Sequence, residues 1–153
     1  MSNIQEEIKL NASKVDAYLN SYFKNQNSNS KLYEAMKYGL FSGGKMIRSY
    51  LVHAACQAFD IIEKDYIPIA AAIECVHSYS LIHDDLPSMD NDDFRRGKES
   101  THKAYGEFTA ILAGSSLLTM AFEMISDHNF KIPDEKKTKI IHALSFCSGH
   151  LGI

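Results

Sequence analysis

Apolar residues recur near the start of the chain at Ile4, Ile8, Val15, Leu19 and Phe23, spacings of four and seven that put them on one face of a helix over residues 4–23. A second, shorter helix is predicted over residues 32–41. The sequence SGGK stops it, because Gly43 and Gly44 supply the permissive backbone of a C-cap and turn. A third helix is predicted to begin near Lys45 and run through MIRSYLVHAACQAF. A fourth, over residues 67–85, is apolar on nearly all sides and is expected at the centre of a bundle, with Pro87 ending it. Residues 86–106 are polar and aperiodic, the pattern of a long loop, and long loops in compact domains are usually functional or disordered. Two further helices are predicted, over residues 108–128 and from Asp134 onward. No strand alternation or repeat intervenes, so the fold class is all-α, a helical bundle in a single domain. The apolar run ALSFCSGHLGI reaches Ile153 without a polar tail, and residues 1–153 read as the truncated front of a longer chain.

Composition narrows the function classes. A chain of 153 residues that is 45% hydrophobic is long enough to bury a core. A net charge of −3 and a pI near 6.1 give no global field for nucleic acid or an anionic membrane, so an anion site has to be built locally. Cys56, Cys75 and Cys147 are odd in number and set among apolar residues, which predicts buried thiols in a reducing, cytoplasmic compartment. The N-terminus has no signal pattern, and the apolar stretch over residues 108–122 is too short and too rich in Gly, Ser and Thr to predict a membrane span.

The candidate chemistry lies in SLIHDDLPSMDNDDFRRGK. Asp84, Asp85, Asp90, Asp92 and Asp93 crowd the end of an apolar helix. An acidic surface loop is the ordinary explanation. Position argues against it for Asp84 and Asp85, because a helix C-terminus favours cations by roughly 0.3–1 kcal/mol. Hard oxygen donors without neighbouring metal-type Cys or His pairs point to Mg²⁺, which commonly bridges carboxylates to phosphates. Arg95 and Arg96 follow directly, and their planar forks suit phosphate oxygens. A second basic group is SGGKMIRS, where Lys45 and Arg48 are expected to share the first turn of a helix. His77 stands seven residues before Asp84 on the same helix face, roughly 10 Å along the axis.

GGKMIR, HSYSLIHDDLPSMDNDDFRRGKESTH and GEFTAILAG, in that order and spacing, resemble the N-terminal half of the trans-prenyltransferase (polyprenyl synthetase) family, nearest to its bacterial farnesyl-forming members. The resemblance implies a helical bundle of the isoprenoid synthase type around a deep cavity. The implied reaction is the Mg²⁺-dependent condensation of isopentenyl diphosphate with an allylic diphosphate, dimethylallyl or geranyl, in a homodimer. Asp84, Asp85 and Asp90 resemble the family's first aspartate-rich motif and its metal positions. Arg95 resembles the contact to the allylic diphosphate, and Lys45, Arg48, His77 and Arg96 resemble the isopentenyl diphosphate site. Tyr79 and its neighbour Ser80 stand at product-length positions, where an aromatic goes with short, farnesyl-type products. Ser49 replaces a common Pro and Ser115 a common Asp, and the family's second aspartate-rich motif has no counterpart here.

Two other readings compete. HD-type phosphohydrolases are also helical, and His53, the His83–Asp84 dyad and Asp127 would be their counterparts, but that leaves the arginine pair and the glycine-lysine turn without a role. The second is a truncated, catalytically inactive synthase fragment that binds diphosphate or a partner.

Overall fold

The computed structural model describes residues 3–25 and 29–152. Among them run α1 (Ile4–Asn25), α2 (Lys31–Leu40), α3 (Ile47–Ala58), a 3-10 turn (Glu63–Asp65), α4 (Ile67–Asp84), β1 (Phe94–Arg95), β2 (Lys98–Glu99), α5 (Thr101–Tyr105), α6 (Glu107–Ser126) and α7 (Asp134–Cys147). The protein is all-α.

Helix α4 is the hub. It begins with Tyr66 and Pro68 buried, Pro68 lying in the first turn, where a missing N–H costs nothing. Ala70, Ala71, Ala72 and Cys75 are fully buried, and α1, α2, α3 and α6 all pack around this helix. The approach of α6 is made by small residues. Ala110, Ala113 and Gly114 are buried, and a Cβ built on Gly114 would lie 2.6 Å from Cδ2 of His83. On the other side, a Cβ on Gly39 of α2 would lie 2.9 Å from Cγ1 of Ile82. The last turn of α4 is thus gripped by backbone on two sides, and it carries the aspartates. The buried stripe Ala110, Ala113, Leu117, Met120, Ala121, Met124 and Ile125 also accounts for α6 being long and apolar enough, by length and composition, to cross a membrane.

Several expectations are corrected. In α1 the buried stripe starts at Asn11 and continues through Val15, Leu19 and Phe23, whereas Ile4 is exposed. Residues 86–106 hold more order than a loop. Phe94 pairs with Glu99 and Arg95 with Lys98 in an antiparallel hairpin, and α5 follows. Its two turn residues, Arg96 (φ 53) and Gly97 (φ 78), are both left-handed, the requirement of a tight hairpin turn that continues the strand twist. Helix α3 starts at Ile47, so Lys45 lies before the helix and does not share its first turn with Arg48. Helix α7 ends at Cys147, with Ser148 as its C-cap, so the final apolar run is not helical throughout. All three cysteines are free thiols, but Cys147 is exposed and Cys56 only partly covered, because α7 and α3 each leave a face open.

The His83 ring that faces Gly114 cannot retreat easily. Its Nε2 is 3.1 Å from the Ile111 carbonyl, and it packs edge-to-face with Tyr79 with ring centres 4.8 Å apart. Gly114→Ala is therefore expected to destabilise the fold by about 1–3 kcal/mol in urea denaturation, the cost of overpacking a tight contact. Ser115→Ala, one residue on and exposed, should stay within about 0.5 kcal/mol.

Candidate active site

The end of α4 brings the acidic and basic residues to one place. Asp85 is the C-cap of α4 and is buried, an unfavourable position for a charge unless it is paired. Arg95, on β1, completes it: Nε donates to both carboxylate oxygens at 2.9 and 2.8 Å, and Nη2 donates to Oδ1 at 2.6 Å. The hydrogen bonds to Asp85 hold the Arg95 guanidinium more firmly protonated than an ordinary arginine. Asp85 is thus committed to Arg95, which sets it apart from the other two motif aspartates. Asp84 is half-buried and Asp90 exposed, and the Asp90 N–H donates to the Asp84 carbonyl at 2.8 Å, which folds the turn between them. Among the described residues no three metal-competent side chains converge. The donor set still suits a hard divalent cation: Asp84 and Asp90 offer carboxylate oxygens on one turn, and an anionic ligand would supply the remainder. Asp93 points elsewhere, pairing with Lys103 at 2.8 Å on the surface.

A cleft of about 610 Å³ opens beside this corner. Gly43, Gly44, Lys45, Arg48, His77 and Arg96 line it, so every residue of the second basic group reaches one space, although Lys45 does so from the turn preceding α3. The glycine turn is needed for this. Gly44 has φ 134, and a Cβ there would stand 2.7 Å from the Arg96 guanidinium carbon. Across the cleft, Arg48 Nη1 lies 3.3 Å from His77 Nε2. Burial, followed by the positive charges of Arg48, Arg96 and Arg95, pushes His77 down to about 4. A neutral imidazole at pH 7 among three guanidinium groups can offer a hydrogen bond to an anion while the arginines supply the charge.

Tyr79 is half-buried and lines a groove of about 390 Å³ with Ser80, Val76 and Leu144, and Arg48 and His77 border both this groove and the cleft. His53, His83 and Asp127 do not meet: His53 Nδ1 lies 2.7 Å from the Tyr66 hydroxyl, His83 bonds Ile111, and Asp127 follows the far end of α6. A phosphohydrolase centre is not assembled.

The sequence reading missed a buried polar network behind the cleft. Glu74 is 5% exposed, and its Oε1 accepts the Ser49 backbone N–H at 2.9 Å; Asn11 Nδ2 donates to Ser49 Oγ at 3.2 Å, and Ser49 Oγ donates to the Met46 carbonyl at 2.8 Å. The available signal was Glu74 itself, a lone acidic residue in the apolar run IPIAAAIECVHSYSLIH.

The depressed His77 value has a consequence for stability. Below the ordinary value of 6.5 the unfolded chain takes up a proton that folded His77 refuses until about pH 4. More protons are then bound in the unfolded state, so His77 makes stability fall as pH drops through that window. In urea denaturation at pH 7 and pH 4.5, His77→Gln is expected to lessen the acid loss. An undiminished loss would show that His77 titrates normally.

The polyprenyl synthetase family profile matches residues 29–151. The farnesyl diphosphate synthase of Geobacillus stearothermophilus is 43% identical over 156 aligned positions, covering 100% of this chain and 52% of the relative. That of Bacillus subtilis (strain 168) is 41% identical over 140 residues, 91% of this chain and 47% of the relative. The crystal structure of a geranyltransferase from Legionella pneumophila superposes with a TM-score of 0.90 at 39% identity, over 96% of this chain and 52% of that one. The chain therefore spans about half the length of the relatives it matches. A profile match over most of the sequence, joined to relatives above 40% identity, makes this chain a member of the polyprenyl synthetase family.

Proposed function

We propose that the chain carries the diphosphate-binding half of a prenyltransferase that joins isopentenyl diphosphate to dimethylallyl or geranyl diphosphate, in two rounds from the first or one from the second, and yields farnesyl diphosphate. The observation that carries this reading is the junction of the Arg48–His77–Arg96 cleft with the Arg95–Asp85 pair at the end of α4. The cleft cations Lys45, Arg48 and Arg96 and, next to them in the chain, the carboxylate-held Arg95 offer two places for diphosphate.

In the reaction, the allylic C–O bond breaks and its electron pair leaves with the diphosphate. The alkene of isopentenyl diphosphate then attacks the allylic cation, and transfer of a proton to the departed diphosphate restores a double bond. Arg95 faces the leaving diphosphate, where charge develops, and the pair with Asp85 holds its fork in place. Lys45, Arg48, His77 and Arg96 hold the second diphosphate. Asp84 and Asp90 would hold Mg²⁺, which when bound neutralises part of the leaving-group charge. Tyr79 and Ser80, in their apolar groove, set product length. Free thiols at Cys56, Cys75 and Cys147 suit a cytoplasmic setting. A homodimer would cover the exposed Phe108 and Ile111 of α6.

A second reading is favoured by one feature. Ile47, Leu51 and Phe59 leave an apolar side of α3 exposed, and the relatives carry about as much chain again. On this reading the 153-residue chain alone binds diphosphate but does not turn over, because ionisation needs a complete, water-free site. Calorimetry should detect Mg²⁺-dependent binding of an allylic diphosphate analogue, and a radiolabel assay should detect no condensation. Asp84→Ala is expected to abolish the Mg²⁺ dependence, whereas Asp93→Ala changes affinity by less than about threefold. Equal effects of the two substitutions would return the aspartates to a solvated surface, and turnover by the purified chain would show that half the relatives' length suffices.

A further inference from the structure

We infer that Glu74 is the positioning residue of the basic cleft, capping α3 from the neighbouring helix so that Arg48 is held against His77. This rests on the proposal that the cleft takes a diphosphate. A helix start leaves its first N–H groups without partners, and the residue at the N-cap normally supplies a side-chain oxygen. Here the N-cap is Met46, which has no such oxygen and sits in the left-handed region at φ 48. The cap comes instead from α4. Glu74 Oε1 takes the N–H of Ser49, the third residue of α3, at 2.9 Å, and its negative charge complements the positive end of that helix.

The placement is specific. Arg48 immediately precedes the bonded amide, and His77 lies one turn beyond Glu74 on α4, so a single bond between the helices sets the distance between Arg48 and His77. Asn11 of α1 braces the same residue through Ser49 Oγ. A carboxylate on the wall of an anion cleft would by itself repel the ligand. Burial and the amide bond give Glu74 a role that offsets this, since the cations it places are nearer the opening: Arg48 is exposed, and Glu74 is 5% exposed.

The test compares Glu74→Met, which keeps the volume and loses the acceptor, with Glu74→Gln, which keeps an acceptor and loses the charge. Two readouts are used: the titration midpoint of His77 by NMR and the affinity for inorganic pyrophosphate by calorimetry. Burial is the main cause of the low His77 midpoint of about 4 and the Arg48 charge comes next, so Arg48 withdrawal should raise it. Loss of a carboxylate charge alone would lower it, so the sign separates positioning from electrostatics. Glu74→Met is expected to raise the midpoint and weaken pyrophosphate binding about tenfold, and Glu74→Gln should stay within about threefold of the parent. In an Arg48→Ala background Glu74→Met should add nothing further, because its effect passes through Arg48. An unchanged midpoint in folded Glu74→Met, or additive losses in the double variant, would overturn the assignment. If Glu74→Met does not fold, Glu74→Gln decides alone: a midpoint at or below the parent's with binding within about threefold supports acceptor-based capping, and a midpoint rise or a tenfold loss contradicts it. If the parent chain binds no pyrophosphate, the diphosphate reading fails while the His77 midpoint still tests the positioning role.

Discussion

The close approach of α6 and α2 to the last turn of α4 is the constraint on which the site depends. Gly114 and Gly39 let backbone lie where a Cβ would collide with His83 and Ile82. The end of α4 is then held rigidly enough to present Asp84 and Asp85 against the sense of its own dipole. Asp85 tolerates that position because Arg95 returns across the hairpin to meet it with three hydrogen bonds, and the left-handed Arg96–Gly97 turn is what brings the strand back. Core packing, turn geometry and a buried ion pair thus converge on one corner, and the second arginine of the pair is left facing the cleft.

Charge in that corner is arranged in layers. Nearest the core are buried acids, each with an assigned donor: Glu74 with the Ser49 amide and Asp85 with Arg95. Outside them stand the cations that line the cleft, and between the two lies His77, held neutral by burial and by its arginine neighbours. Buried carboxylates cancel part of the field they sit beneath, yet they fix where each cation stands. For recognition of a diphosphate, placement counts for more than total charge, because bidentate contacts to phosphate oxygens need a fixed fork.

Much of this was legible in the sequence. Helical periodicity revealed α1, α2, α4 and α6, because an apolar stripe or an all-round apolar surface is written directly in residue order. The block GGKMIR, with His77 and Arg96 from HSYSLIHDDLPSMDNDDFRR, held the cations and the histidine that gather at the cleft. What escaped depends on contacts between distant segments. The hairpin of residues 94–99 is too short for alternation to register, and it exists because Arg95 finds Asp85. The start of α3 was misplaced by two residues because its cap is a glutamate 25 positions away rather than a local side chain. Nothing in the apolar periodicity marks Asn11, yet it heads the buried stripe of α1 and bonds Ser49.

The central claim is that the acids and cations at the end of α4 form one anion-binding corner. Amide chemical-shift mapping of the chain during titration with pyrophosphate in the presence of Mg²⁺ tests it most directly. The expected result is a contiguous set of shifts at Gly43–Arg48, His77, Asp84–Asp90 and Arg95–Gly97, with Tyr18, Tyr22 and Phe130 at the opposite end of α4 unmoved. Shifts scattered over surface lysines, or none at the corner at saturating pyrophosphate, would contradict it.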